Sequence, residues 1–165
     1  MNQLEQFREI DTFIFDVDGV LTNSQVLVME DGKLLRQMSI RDGYALKRAV
    51  EAGYNVCIIT GGKSEGVKIR LQNLGISDIY TGISDKLEVY ESYVRENELS
   101  EGSILYMGDD LPDYPVMRRV GLPACPQDAA PELFELAAYV SHQNGGEGCA
   151  RDVIEKVLRL NDDWK

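Results

Sequence analysis

Two aspartates, Asp16 and Asp18, stand one residue apart directly after the apolar run Thr12-Phe13-Ile14-Phe15, and Gly19-Val20-Leu21-Thr22 follows them. A second acidic group, Gly108-Asp109-Asp110 with Asp113 just beyond, follows the apolar run at 103–107. Carboxylates drawn into one pocket repel each other, and the pocket is costly unless a hard cation such as Mg²⁺ neutralises it. A cation of that kind brings in a phosphate. Thr60-Gly61-Gly62-Lys63, at the end of another apolar run, offers a hydroxyl and glycines whose backbone N–H groups can approach a phosphate closely. Lys86 offers a point positive charge. One carboxylate attacking phosphorus while its neighbour two residues on handles the proton is phosphoryl transfer through an aspartyl-phosphate.

Such residues act together only if a scaffold gathers the ends of their segments. Short apolar runs alternate with longer segments of helical period, the pattern of an α/β domain with a mainly parallel sheet flanked by helices. Strands are expected at 12–15, 55–59, 79–81, 103–107 and 122–125. Helices are expected at 42–52, capped by Asp42 and stopped by Gly53, and at 64–74, 85–97, 130–137 and 147–160. In open α/β sheets ligands sit beyond the carboxyl ends of the strands, so the chemical clusters would converge at one rim. The break in this rhythm is a hairpin, residues 26–29 and 34–38 around Glu30-Asp31-Gly32-Lys33, inserted between the first strand and the first helix. It places Val26 and Val28 on one face with Leu34 and Leu35 across the turn, an apolar ribbon with unpaired edges that association with copies of itself would bury.

The chain has 165 residues, expected as one domain over 1–165, and its 44% hydrophobic and 27% charged residues are ordinary globular usage. Seventeen basic against 28 acidic residues leave a net charge of −11, which argues against nucleic-acid binding. An anionic substrate then requires cations concentrated at its site. No apolar run approaches the roughly 18 residues of a membrane span, and the polar N-terminus lacks a signal peptide's pattern, so the expected location is cytoplasmic. Cys57, Cys125 and Cys149 have neither zinc-site spacing nor an even count, and we assign them no disulfide.

The ordered set Asp16-Val-Asp18-Gly-Val-Leu-Thr, Thr60, Lys86 and Gly108-Asp109-Asp110-x-x-Asp113 resembles the haloacid dehalogenase (HAD) superfamily of phosphatases, over most of the chain. The short length, the hairpin in place of a cap domain, the phrase Arg41-Asp42-Gly43-Tyr44 and the tail Gly145-Gly146-Glu147-Gly148-x-x-Arg151 are similar to the capless 3-deoxy-D-manno-octulosonate (KDO) 8-phosphate phosphatases. That resemblance implies a Rossmann-like HAD fold and an Mg²⁺-dependent monoesterase whose product feeds lipopolysaccharide synthesis. It implies Asp16 as nucleophile and metal ligand, Asp18 as general acid/base with its carbonyl on the metal, and Asp109 as third protein ligand. Thr60 and Lys86 would hold the phosphoryl group, with Asp110 near the metal's outer shell and Asp113 orienting the loop or Lys86. A homotetramer assembled through the hairpins, closing each site with a neighbouring subunit, is implied as well.

Two rival functions carry different expectations. Similar enzymes act on nine-carbon sugar acid 9-phosphates, and the charged residue that many relatives carry after the Thr-Gly pair is here Gly62. A catalytically silent subunit of a sugar-nucleotide enzyme would not need the complete acidic set. Gly61, Gly62, Arg70 and Arg151 are the candidate substrate-binding residues, since a sugar acid phosphate needs cations and close backbone approach near the mouth of the site. His142 has no nucleophile motif around it and is left outside the site, while the glycine run 145–148 fits either a substrate-closing loop or ordinary punctuation before a helix.

Overall fold

The computed structural model describes residues 1–165. Its centre is a six-stranded, wholly parallel sheet built from β1 (Thr12–Phe15), β4 (Asn55–Ile59), β5 (Asp78–Tyr80), β6 (Ile104–Met107), β7 (Leu122–Cys125) and β8 (Tyr139–Val140), in the order β5-β4-β1-β6-β7-β8. Phe13 of β1 is flanked by Val56 on one side and Leu105 on the other. After β1 the chain winds outward through β4 and β5, then returns to lay β6 against the other side of β1. That reversal splays the connections leaving β1 and β6 apart and opens a crevice beyond their carboxyl ends.

The side-chain period of two sends alternate residues of each strand into different layers. Phe13, Phe15, Val56, Ile58, Leu105 and Met107 pack on one face, under the helices α2 (Ile40–Glu51) and α6 (Cys149–Leu160) and against Phe7 of α1 (Gln3–Arg8). Ile14, Cys57, Ile59, Ile104 and Tyr106 pack on the other, against Tyr90 and Tyr93 of α4 (Lys86–Glu96) and Val116 and Met117 of α5 (Tyr114–Met117). In α6 the residues Val153, Ile154, Val157 and Leu158 recur at helical spacing and are buried. All three cysteines are buried thiols. No helix is long and apolar enough to cross a membrane.

The α/β architecture and the parallel sheet agree with the sequence pattern, and several local expectations change. Ser39, not Asp42, caps α2: its hydroxyl accepts the Asp42 N–H at 3.2 Å. Asp42 instead caps a helix far away in sequence, its carboxylate accepting the Arg151 N–H at 3.0 Å in the first turn of α6, whose own N-cap is Gly148. Residues 130–137 are not a helix. Pro131–Leu133 makes a single 3₁₀ turn, after which the chain joins the sheet edge, Ala138 N–H donating to the Pro123 carbonyl at 2.8 Å and Tyr139 pairing with Ala124. An eight-residue helix is marginal by itself, and here Leu136 and Ala137 both donate back to the Leu133 carbonyl in a turn that brings the chain to the edge. The unanticipated α1 begins with a reciprocal capping box between Asn2 and Glu5.

The hairpin consists of β2 (Leu27–Val28) and β3 (Leu34–Leu35), antiparallel, with Val28 opposite Leu34 and Leu27 opposite Leu35. It touches none of the main sheet strands by pairing, and Leu27 and Val28 are 63% and 65% exposed. A monomer therefore presents apolar residues on both faces of this ribbon.

Candidate active site

Asp16 is the first residue after β1, Thr60 the first after β4, Asp109 the second after β6, and Lys86 opens α4 in the loop that leaves β5. The strand ends thus deliver each side chain to the crevice from its own segment. A cavity of about 310 Å³ is lined by Asp16, Asp18, Thr60, Gly61, Gly62, Lys86, Asp109, Asp110 and Asp113, with Ser24, Ile83, Ser84 and Pro112 completing it. Close packing of backbone holds the β1 loop in shape. A side chain at Gly19, which has φ +88°, would overlap the Asp109 carboxylate, and one at Gly145 would overlap the carbonyls of Gly19 and Thr22. The glycine run 145–148 therefore packs against the back of the β1 loop, fastened by the Gly146 N–H on the Val20 carbonyl at 2.9 Å.

At the bottom of the cavity lies a buried polar cluster. Carboxylate oxygens of Asp16, Asp109 and Asp113 lie within 4.8 Å of one another. Lys86 Nζ donates to Asp113 Oδ1 at 2.7 Å and lies 3.1 Å from Asp16 Oδ1. Asp113 is fully occupied: Tyr106 Oη also donates to its Oδ1 at 2.6 Å, and its Oδ2 accepts the Asp109 and Asp110 N–H groups at 3.0 and 3.4 Å. It orients Lys86 and the 109–113 loop together. Asp110 accepts the Leu111 N–H at 2.8 Å and starts a 3₁₀ turn over Leu111–Asp113.

The electrostatics follow from burial. Desolvation, then repulsion from Asp113 and Asp109, holds the Asp16 carboxyl well above the usual carboxylate range despite the neighbouring lysine. Desolvation and Asp113 push Asp109 up to about 7. Burial pulls Lys86 down, but Asp113 and Asp16 outweigh it and its net shift is upward. Three clustered carboxylates face a single ammonium, leaving an excess that a divalent cation neutralises. The donors are all oxygens, and Asp16 and Asp109 retain carboxylate oxygen turned to the cavity, so the residues fit Mg²⁺.

Asp18 sits at the edge of this cluster in a different environment. Its two oxygens accept a fork from Arg36, Nε to Oδ1 at 2.7 Å and Nη2 to Oδ2 at 3.1 Å. Arg36 directly follows β3, so the hairpin reaches into the site through it. Neither Arg36 nor Tyr106 carries a sequence signal: one lies in the hairpin, the other inside a buried strand. Ser84 could have been found from the strand-end rule, since it follows β5.

The two candidate arginines lie outside this cavity. Arg70, on α3 (Glu65–Asn73), lines a neighbouring groove between that helix and the hairpin. Arg151 lies over the rings of Tyr44 and Trp164, 5.7 and 5.3 Å from their centroids, with Nε 3.4 Å from Glu155. His142 is exposed, 3.7 Å from Asp152.

The geometry has counterparts among known proteins. The chain is 38% identical over 149 residues to the KDO 8-phosphate phosphatase of Salmonella typhi, covering 90% of this chain and 79% of the relative. The chain belongs to the KDO 8-phosphate phosphatase family. A Yersinia pestis member of the family is 35% identical over 159 residues, 96% of this chain and 85% of the relative. The Y. pestis crystal structure superposes with a TM-score of 0.94 at 34% identity, covering 97% of this chain and 86% of that one. The family enzyme of Moraxella catarrhalis, solved with a magnesium ion, a phosphate ion and a KDO molecule, superposes with a TM-score of 0.93 at 28% identity, covering 98% of this chain and 92% of that one. No family model matches the chain.

Proposed function

We propose that this protein is a phosphoric monoester hydrolase that converts KDO 8-phosphate to KDO and inorganic phosphate with Mg²⁺ as cofactor. The observation that carries the reading is the buried Asp16-Asp109-Asp113-Lys86 cluster at the carboxyl ends of β1 and β6, in a chain of this family. Mg²⁺, held by the Asp16 and Asp109 carboxylates and the Asp18 main-chain carbonyl, supplies charge neutralisation that lets an anionic phosphate meet an anionic nucleophile. Thr60 and Lys86 hold the phosphoryl oxygens, and the backbone at Gly61 and Gly62 allows their close approach. Asp16 attacks phosphorus as the P–O bond to the sugar breaks, and Asp18 protonates the departing sugar oxygen. Asp18 then takes a proton from water, which attacks phosphorus and returns Asp16 to its carboxylate.

The small cavity closes off neither the sugar nor bulk water, and the exposed hairpin supplies what is missing. The protein works as a homotetramer in which hairpins bury one another and a neighbouring subunit covers the mouth, in the cytoplasm, on a small-molecule sugar acid phosphate. The complete acidic set disfavours a silent subunit.

Purified protein with Mg²⁺ tested on a panel of sugar acid phosphates decides between the eight-carbon and nine-carbon substrates. KDO 8-phosphate is expected to give the highest kcat/KM. Asp16→Asn is expected to remain folded and to lose at least about a thousandfold in kcat on every substrate. Folded Asp16→Asn protein with more than a small fraction of wild-type turnover rules out the aspartyl-phosphate route.

A further inference from the structure

The fork between Arg36 and Asp18 uses only part of the guanidinium. Nε and Nη2 form its side-on edge, and both donate to Asp18. The end-on edge, Nη1 with the second hydrogen of Nη2, donates to nothing in the protein, although the Arg36 side chain is 7% exposed. Guanidinium matches carboxylate geometry along either edge, so one arginine can bridge two carboxylates. Among side-chain polar atoms only Asp42 Oδ2 and Arg48 Nε are both buried and without a partner, so this edge of Arg36 is open to solvent and free to receive a ligand.

The surroundings specify the ligand's charge and direction. Arg36 stands beside Gly62, where an added Cβ would lie 3.1 Å from Nη2 and 3.0 Å from Asp18 Oδ2; a side chain there would crowd the fork. Asp18, Thr60 and Gly62 line the reaction cavity and also the small recess that holds Arg36. On its other side Arg36 lines a groove of about 870 Å³ with Lys33, Lys63 and Arg70, against Glu65 as the one acidic residue. A cationic groove in a chain of net charge −11 is a local inversion of the protein's field. Arg36 is therefore the junction between the phosphate end and a second, anion-attracting space.

We propose that Arg36 is a substrate-recognition residue: its free end-on edge binds the carboxylate of the sugar acid while its side-on edge holds Asp18. The inference rests on the sugar acid phosphate reading above. In an eight-carbon ulosonate 8-phosphate the carboxylate and the phosphate occupy opposite ends of the carbon chain, so a substrate with its phosphate over Asp16 has its carboxylate to place elsewhere. The bridge ties recognition to catalysis, because the guanidinium that receives the substrate carboxylate is the one that holds both oxygens of Asp18. It also gives the hairpin a chemical role, since Arg36 is the residue immediately following β3.

Steady-state kinetics on two substrates test this: the sugar acid phosphate and its analogue with the carboxylate reduced to a hydroxymethyl group. For Arg36→Ala, kcat/KM on the acid is expected to fall on the order of a hundredfold, with KM rising through the lost carboxylate contact and kcat falling through the released Asp18. On the reduced analogue the wild-type enzyme should already show the KM part of that loss, and Arg36→Ala should add only the kcat part that follows from releasing Asp18. Arg36→Lys, which keeps a cation but not the fork, should recover part of the KM loss on the acid while kcat stays low on both substrates. Equal losses on both substrates in Arg36→Ala and Arg36→Lys would overturn the proposal and leave Arg36 a positioning residue for Asp18 alone. Wild-type enzyme that turns over p-nitrophenyl phosphate but neither sugar compound overturns the sugar acid reading and, with it, this assignment.

Discussion

Lys86 Nζ lies 3.1 Å from Asp16 Oδ1, with both side chains almost wholly removed from solvent, 5% and 9% exposed. An ammonium so placed does two things at once: it presents positive charge where a phosphoryl group would sit, and it offsets the burial of carboxylates that have no other cation. Removing one partner of a buried charge cluster costs more than the pair contributes, because the other charges stay buried.

Lys86→Met should therefore destabilise the metal-free protein by about 3–5 kcal/mol at neutral pH, besides abolishing turnover. Urea denaturation with and without Mg²⁺ checks both halves, since Mg²⁺ should restore part of the lost stability without restoring activity. A variant as stable as wild type in the absence of metal would show that Asp16 and Asp113 do not need this lysine.

Mg²⁺ should raise the melting temperature of the wild-type protein, because a ligand that binds only the folded state adds about 2.7 kcal/mol at a hundredfold excess over Kd. Asp109→Ala should shift the Mg²⁺ dependence to much higher concentration. Asp18→Asn should leave it nearly in place while kcat collapses, since in the proposed mechanism Asp18 offers the metal only its main-chain carbonyl. Equal weakening of metal binding in the two variants is the result that separates these roles wrongly.

The hairpin prediction is about size and selectivity. Val26→Lys combined with Val28→Lys puts charges on the exposed ribbon, where Val28 faces Leu34 across the strands. Light scattering should show the assembly splitting, and activity should fall more on the sugar acid phosphate than on p-nitrophenyl phosphate. A fully active wild-type monomer at micromolar concentration refutes the assembly.

Asp42 gives a pH signature away from the reaction. Burial raises its carboxyl to about 6, against the pull of the Arg151 and Gly148 N–H groups, and Oδ2 has no partner. The folded state then holds a proton more tightly than the unfolded chain, so this group's contribution becomes less favourable as pH rises from about 4 to 6 and stays so above, by roughly 3 kcal/mol. Asp42→Asn keeps an oxygen for Arg151 N–H and removes the ionisation. Its stability relative to wild type should improve as pH rises through that window; a difference that is flat with pH contradicts the assignment.

Strand ends and chemistry were legible together because both are local. Apolar runs of strand length followed at once by Asp16, Thr60 or Gly108-Asp109 carry their own topological meaning: in a parallel sheet every such run ends at the same rim. The helix over 130–137 failed for the opposite reason. Its composition permits a helix, but the segment turns tightly at Leu133 to deliver residues 138–140 to the edge of β7, and nothing within those eight residues reports that edge.

The amino-acid sequence by itself determined the strand-helix alternation, the residues delivered to the crevice and the apolar hairpin, since side-chain period, turn residues and the order of carboxylates act within a few positions. Tertiary structure alone decided the pairings. Asp42 resembles a cap by its place before a helical segment, yet Ser39 takes that duty and Asp42 serves α6, 109 residues away in sequence. Arg36 is one cation in a ribbon of apolar residues until the hairpin folds back and its guanidinium meets Asp18. Tyr106 is one more buried strand residue until its hydroxyl finds Asp113. A hydrogen bond depends on the position of both partners to a few tenths of an ångström, and for residues brought together by sheet order and loop path that position is a property of the packed whole.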